Sequence, residues 1–201
     1  MSRKDAVADH TLGQERFLTE EMKDLIHAVE EELGSESISK NIHFSTGVLN
    51  RLDRQLTLGC HLITDTNLLS SMVDRAAASR LPVQLSCFLD DPFVVSVASQ
   101  RRVTRAEIAA ERALGQPGSK ILVVGSAPKM LDQVLQAQRR SPLVDTTVIA
   151  AASGFASAVA TKERLWDSGL PCIVVRGKAG GPMAAMAIVN ALLRSAADRQ
   201  K

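Results

Sequence analysis

From Cys60 to the C-terminus, short apolar runs alternate with longer amphipathic stretches, several of the joints being glycine turns. That alternation permits little besides a mostly parallel sheet covered by helices. The runs at 60–64, 83–88, 121–124, 146–150 and 172–175 are rich in valine, leucine and isoleucine and too short for buried helices. The helical patterns fall at 67–78, 104–114, 128–139, 155–166 and 182–195. A strand joined to a parallel neighbour needs a crossover on one face of the sheet, and these helices supply it. Two more helices come first. In 17–33, Leu18, Met22, Leu25, Ile26, Val29 and Leu33 recur at three- and four-residue steps, with Thr19, Glu20 and Glu21 at the start and Gly34 as the stop. A second helix, 46–58, ends at Gly59. The pattern predicts an α/β single domain with a mostly parallel five-stranded sheet, helices on both faces, and two N-terminal helices before it.

Composition limits what such a domain binds. Of 201 residues, 45% are hydrophobic but only 3% aromatic, with no tyrosine, so the core is aliphatic and alanine-rich. Stacking platforms for single-stranded nucleic acid are lacking. A net charge of +2 without a long Lys/Arg run does not track a phosphate backbone, so no nucleic acid partner is expected. Residues 1–15 form a polar segment without the apolar stretch of a signal peptide, and 16–201 form the domain. No stretch reads as a membrane span, and the expected location is cytoplasmic. Cys60, Cys87 and Cys172 sit in or beside apolar runs without ligand spacing, which reads as reduced core thiols and no metal site.

In open parallel sheets a ligand binds beyond the carboxyl ends of the strands, where strand order reverses. The unusual residues of this chain sit at those ends. Val124-Gly125-Ser126-Ala127-Pro128 is a strand end, a glycine turn, a candidate cap and a proline at the first helical position. Ala152-Ser153-Gly154-Phe155 repeats the arrangement. Val175-Arg176-Gly177-Lys178-Ala179-Gly180-Gly181-Pro182 adds two cations. Free N–H groups and the helix dipole favour an anion at such turns. Geometry alone accounts for any one of them; three together, one carrying Arg176 and Lys178, point to a small carboxylate- or phosphate-bearing ligand. Neither a Walker A sequence nor G-x-G-x-x-G is present, so an ordinary nucleotide is not indicated.

Side chains nearby extend the candidate site. Thr104-Arg105 opens a helix where a cation opposes the dipole, and it reads either as solvated surface or as a fork for a ligand carboxylate. Asp65, beside Thr66 and Asn67, reads first as a helix cap and second as a ligand contact. Among His10, His27, His43 and His61 there is no Ser-His-Asp order and no nucleophile elbow, which excludes hydrolysis through a covalent intermediate. His10 and His61 read as structural. His27 and His43 remain as proton donors.

These motifs resemble the precorrin-8X methylmutases, or precorrin isomerases. The resemblance rests on Val124-Gly125-Ser126-Ala127-Pro128, on Ser153-Gly154-Phe155 with Thr161-Lys162, and above all on Arg176-Gly177-Lys178-Ala179-Gly180-Gly181. It runs from Phe44-Ser45 through Leu62-Ile63-Thr64-Asp65 and Thr104-Arg105 to the last helix, about three quarters of the chain. The resemblance implies the same α/β fold and a tetrapyrrole substrate, a corrin-ring precursor rimmed with acetate and propionate groups. It implies migration of a methyl group between adjacent ring carbons, assisted by a histidine general acid, with no cofactor, in a homodimer. Arg105, Arg176 and Lys178 would hold carboxylates, while Asp65, Thr104, Gly125, Ser126, Ala127, Gly154, Phe155, Gly180 and Gly181 would line the pocket. The family's histidine corresponds to His27 by the wording Ile26-His27-Ala28-Val29, or to Glu31 in an ungapped register, with His43 behind both. Ser126 stands where the family has asparagine, and Ala152 or Ser153 where it has proline. A homologue that binds a tetrapyrrole or corrinoid without isomerising it is the alternative.

Overall fold

The computed structural model describes residues 18–154 and 156–200. The polar segment 1–15, His10, Phe17 and Phe155 lie outside the described residues. In chain order the elements are α1 (Glu20–Leu33), β1 (Ile42–Phe44), α2 (Val48–Leu58), β2 (Cys60–Thr64), α3 (Asn67–Ser71), α4 (Arg75–Ala78), β3 (Val83–Cys87), α5 (Pro92–Arg101), α6 (Arg105–Leu114), β4 (Lys120–Val124), α7 (Pro128–Arg140), β5 (Thr146–Ala150), α8 (Ala156–Trp166), β6 (Cys172–Val175) and α9 (Pro182–Asp198). The sheet runs β1-β6-β5-β4-β2-β3, parallel throughout except for β1, which pairs antiparallel with β6.

The sheet therefore has six strands where the sequence pattern predicts five, and β1 separates the two N-terminal helices. Ile42-His43-Phe44 is too short to show an alternation of its own; it becomes a strand because Ile42, His43 and Phe44 fall opposite Val175, Val174 and Ile173. The helix expected over 67–78 is broken into α3 and α4. Asn190 of α9 enters the break, its Oδ1 accepting from the Asp74 amide at 2.8 Å and its Nδ2 donating to the Met72 carbonyl at 3.1 Å, while Asp74 caps α4 through the Ala77 amide. Helix α5 has no counterpart in the predicted elements. Its Asp91 cap and Pro92 start are present in the sequence, but exposed Phe93 and Val95 interleave with buried Val94 and Ala98 and blur the apolar stripe.

Successive strand residues feed two cores. Ile121 and Val123 of β4 pack with α1, α2, α3, α4 and α9 on one face, while Leu122 and Val124 pack with α6, α7 and α8 on the other. Such period-two alternation is what a sheet covered on both sides requires. Helix α9 is the most deeply set of the helices, with Ala184 to Ile188 and Leu193 among its buried residues. Its position depends on two glycines. A Cβ on Gly125 would meet the Pro182 Cα at 2.8 Å, and one on Gly180 would overlap the Ala151 carbonyl. Gly180 also has φ of 128°, which an L side chain rarely adopts. The Gly181 amide donates to that same carbonyl at 2.5 Å, tying the start of α9 to the end of β5. Gly180→Ala is expected to cost roughly 3–5 kcal/mol in urea denaturation, combining overlap with left-handed strain. Gly115→Ala, at φ −75°, should stay within about 0.5 kcal/mol.

Candidate active site at the strand-order reversal

Strand β4 continues to β5 on one side, whereas β2 continues to β3 on the other, so the order reverses between β2 and β4. The crevice at their carboxyl ends is where a ligand site is expected in such a sheet. Asp65 lies there. The cap of α3 is Thr66, whose hydroxyl accepts from the Leu69 amide, and the Asp65 carboxylate crosses instead to the β4–α7 turn. Its Oδ2 accepts from the Ser126 amide at 2.6 Å and the Ala127 amide at 2.8 Å. Burial pushes the Asp65 carboxyl up from the ordinary aspartate range, and the amides of Ser126, Ala127 and Gly125 and the Thr66 hydroxyl pull the other way. The turn that reads as a seat for a ligand anion thus already holds an anion from its own chain. Ser126 keeps its side chain exposed.

Neighbouring candidates are tied in a similar way. Thr104 and Glu107 form a reciprocal capping box at the start of α6. Arg105 pairs with Asp90, which also accepts from Asn67 Nδ2 at 2.6 Å, so the starts of α3 and α6 are joined through one carboxylate. Arg176 turns to the α8 face: its Nε lies 2.9 Å from Glu163 Oε2, and its guanidinium sits 5.6 Å from the centre of the Trp166 ring. Two of the three cations proposed from sequence therefore have carboxylate partners within the chain. Lys178 is exposed and makes no ion pair among the described residues. The Gly154 amide donates to the Lys178 carbonyl at 3.4 Å, which sets the two turns side by side.

The histidines divide between the two faces of the sheet. His43 is opposite Val174, and both belong to the side that packs on α7 and α8, since Ile42 and Val175 serve the other core. Its ring meets Trp166 edge-on at 5.6 Å. Burial and the Arg176 charge hold the His43 imidazole down at about 4, against a smaller upward pull from Glu163. A ring neutral at pH 7 is poorly suited to donate a proton there. His27 lies on α1, over the opposite face, with its side chain 73% exposed and its Nε2 3.4 Å from Glu31 Oε1. The two sequence alternatives for the acid position, His27 and Glu31, are thus neighbours one helical turn apart.

A family model described as precorrin-8X methylmutase matches residues 3–195. The chain belongs to the precorrin-8X methylmutase family. It is 31% identical over 151 residues to the cobalt-precorrin-8 methylmutase of Salmonella typhimurium, covering 75% of this chain and 70% of that protein. Against the precorrin-8X methylmutase of Pseudomonas aeruginosa the identity is 30% over 172 residues, covering 84% and 79%. The fold is shared with a solved precorrin-8X methylmutase related protein, at TM-score 0.82 and 23% identity over 89% of this chain and 94% of that one. It is shared also with the Thermus thermophilus precorrin-8x methyl mutase, at TM-score 0.80 and 21% identity over 96% and 98%.

Within this methylmutase fold, the partners that sequence reasoning missed are Asp90, Glu163 and Trp166, while Lys162 carries part of the family resemblance but is given no role from sequence. Lys162 has no exposed surface, and its Nζ donates to the Ala179 carbonyl at 3.0 Å. A signal existed, because Ala158, Thr161, Lys162 and Leu165 form the buried stripe of α8, and a lysine in such a stripe is rarely idle. Two cavities lie away from the strand ends. One of about 310 Å³ is walled by α1, α2 and α9, and one of about 470 Å³ lies beside Ser119 and Val144 near the amino ends of β4 and β5. No helix among the described residues is long and apolar enough to cross a membrane. Two outcomes are expected of this methylmutase. Asp65→Ala strips the partly buried Ser126 and Ala127 amides of their acceptor and should lower stability by roughly 1–3 kcal/mol. The unfolded His43 ring takes up a proton near 6.5, but the folded ring only near 4. Stability should therefore decline as pH falls through that window, and His43→Phe should remove that part of the slope in chemical denaturation.

Proposed function

We propose that the chain carries out its family's reaction at the β2–β4 crevice, with Lys178 and the β6–α9 turn receiving carboxylates of the substrate. As a member of the methylmutase family the protein is an isomerase of cobalamin biosynthesis, and its reaction is intramolecular methyl migration on a corrin-ring precursor. The observation that supports this placement is the charge pattern at the strand ends. Arg176 and Arg105 are matched by Glu163 and Asp90, whereas Lys178 is exposed beside a helix start that carries no acidic residue in its first turn. A polycarboxylate macrocycle supplies the missing negative charge. Glycine backbones at Gly125, Gly154, Gly180 and Gly181, with Ser126 and Ala127, line the approach, and Asp65, Thr104 and Arg105 hold its far side.

His27 is the general acid of this reading, with Glu31 placed to orient its ring. Proton donation to the macrocycle draws electron density from the carbon–methyl bond. The methyl group moves with its bonding pair to the adjacent ring carbon, and the proton returns. Substrate and product are isomers, so no cofactor is consumed. The active form is a homodimer, the commonest closed assembly, working in the cytoplasm. A second reading, corrinoid binding without isomerisation, is favoured by one observation: His27 stands on an exposed helix face while His43 is held neutral.

Absorbance assays separate the two. Wild-type protein should convert precorrin-8X to hydrogenobyrinate, or cobalt-precorrin-8 to cobyrinate. His27→Ala should lose on the order of 10²–10⁴ in rate while binding product normally. Lys178→Ala should weaken product binding about tenfold, equivalent to about 1.4 kcal/mol. Tight binding with no conversion by the wild type would establish the second reading. Conversion unaffected by His27→Ala would remove His27 from the mechanism.

A further inference from the structure

The largest fully buried side chain of the described residues is that of Lys162, a charged one. It occupies the buried stripe of α8, directly behind the β6–α9 turn, and its Nζ donates to the Ala179 carbonyl at 3.0 Å. An acid next to it in sequence would be its natural partner, but Glu163 gives both carboxylate oxygens to Arg176. Thr161, on its other side, donates to Asp132 of α7, whose carboxylate is also bonded by Arg164. The facing turn contributes another cation, Lys178, rather than an acid. Burial lowers the Lys162 ammonium to about 8, and the nearby Glu163 charge opposes that shift.

A neutral donor would serve the Ala179 carbonyl at far smaller desolvation cost, since burying an ammonium without a carboxylate is strongly unfavourable. Two other features of the same turn bear on why a charge is kept. Helix α9 starts at Pro182 with no side-chain cap and no acid in its first turn. Lys178 projects from the turn without an ion pair among the described residues. Three sources of positive potential therefore meet at one turn, and among the described residues no ion pair sets a carboxylate against them. The backbone is held there as well, by Gly181 on the Ala151 carbonyl and Gly154 on the Lys178 carbonyl.

We propose that Lys162 is a positioning residue for the isomerase reaction: its buried ammonium clamps the β6–α9 turn through Ala179 and adds the positive charge that makes this turn a seat for a substrate carboxylate. The inference rests on the reading of the site given above. Lys162 acts through the turn and does not touch the substrate. The role has two separable parts, a mechanical clamp and an electrostatic contribution, and the charge is present only while the amine is protonated.

Lys162→Met and Lys162→Gln divide these parts. Thermal melts should show Lys162→Met folded, since it replaces a buried ammonium by an apolar chain of similar length. In ligand-free protein, amide hydrogen exchange at Gly154 and Gly181 should speed up at least tenfold in Lys162→Met and be largely restored by Lys162→Gln, which keeps a donor. In absorbance titrations with hydrogenobyrinate at pH 7, both variants should bind about tenfold more weakly than wild type. Wild-type affinity should fall towards theirs as pH rises through about 8, while theirs stays flat. Unchanged exchange in Lys162→Met overturns the clamp, and wild-type affinity at pH 7 in both variants overturns the charge role. If the wild type binds neither hydrogenobyrinate nor cobyrinate, the reading of the site fails and the charge role with it, while the exchange comparison still decides the clamp.

Discussion

The close approach of the β6–α9 turn to the ends of β4 and β5 is the contact on which the other features of this molecule depend. Gly125 lies under Pro182, and Gly180 lies against the Ala151 carbonyl, so backbone meets backbone where any side chain would intrude. That contact lets α9 enter the layer between the sheet and α1 at full depth. From there its Asn190 breaks 67–78 into two short helices and its Arg194 binds Glu32 of α1 and Asp74 of α4. It also brings Lys178, the start of α9 and Lys162 together beside the β5 end. Packing and electrostatics at the site thus share one geometric origin.

Charge satisfaction decides which groups remain for a ligand. Helix starts and glycine turns draw anions, and this fold answers much of that demand internally. Asp65 fills the amides of the β4–α7 turn, Glu107 closes the start of α6, and Asp90 and Glu163 hold Arg105 and Arg176. Exposed pairs such as Arg105–Asp90 contribute little to stability, but they fix loops relative to one another. The β6–α9 turn differs, because Lys178 on it and Lys162 behind it make no ion pair among the described residues. Under the proposed reading, a polyanionic macrocycle supplies the matching charge.

His43 and His27 illustrate how one residue type acquires opposite properties. His43 is packed against Trp166 beside the Arg176 guanidinium and stays neutral. His27 stands in solvent with Glu31 one turn away. The sheet lies between the faces they serve. The turns at the strand ends carry the family's pattern.

Much of the architecture was legible in the sequence because βα units are encoded locally: apolar runs of period two or continuous apolarity, helices of period near four, and glycine or proline at the joints. The five parallel strands, the glycine turns and the family resemblance all follow from residues close together in the chain. What the sequence alone could not decide depended on partners distant along it. Strand β1 exists because β6 offers it an edge, and the break between α3 and α4 exists because Asn190 arrives from more than a hundred residues away. Asp65 reads as the cap of its own helix and in fact serves the turn of another strand. Arg176, one of the most prominent cations in its motif, is spent on Glu163, while Lys162, which belongs to another motif and is given no role there, is sealed beneath the turn. Sequence determined which chemical groups stand at the strand ends; tertiary structure decided which of them have partners, because hydrogen bonding and burial depend on distance in space and not on distance along the chain.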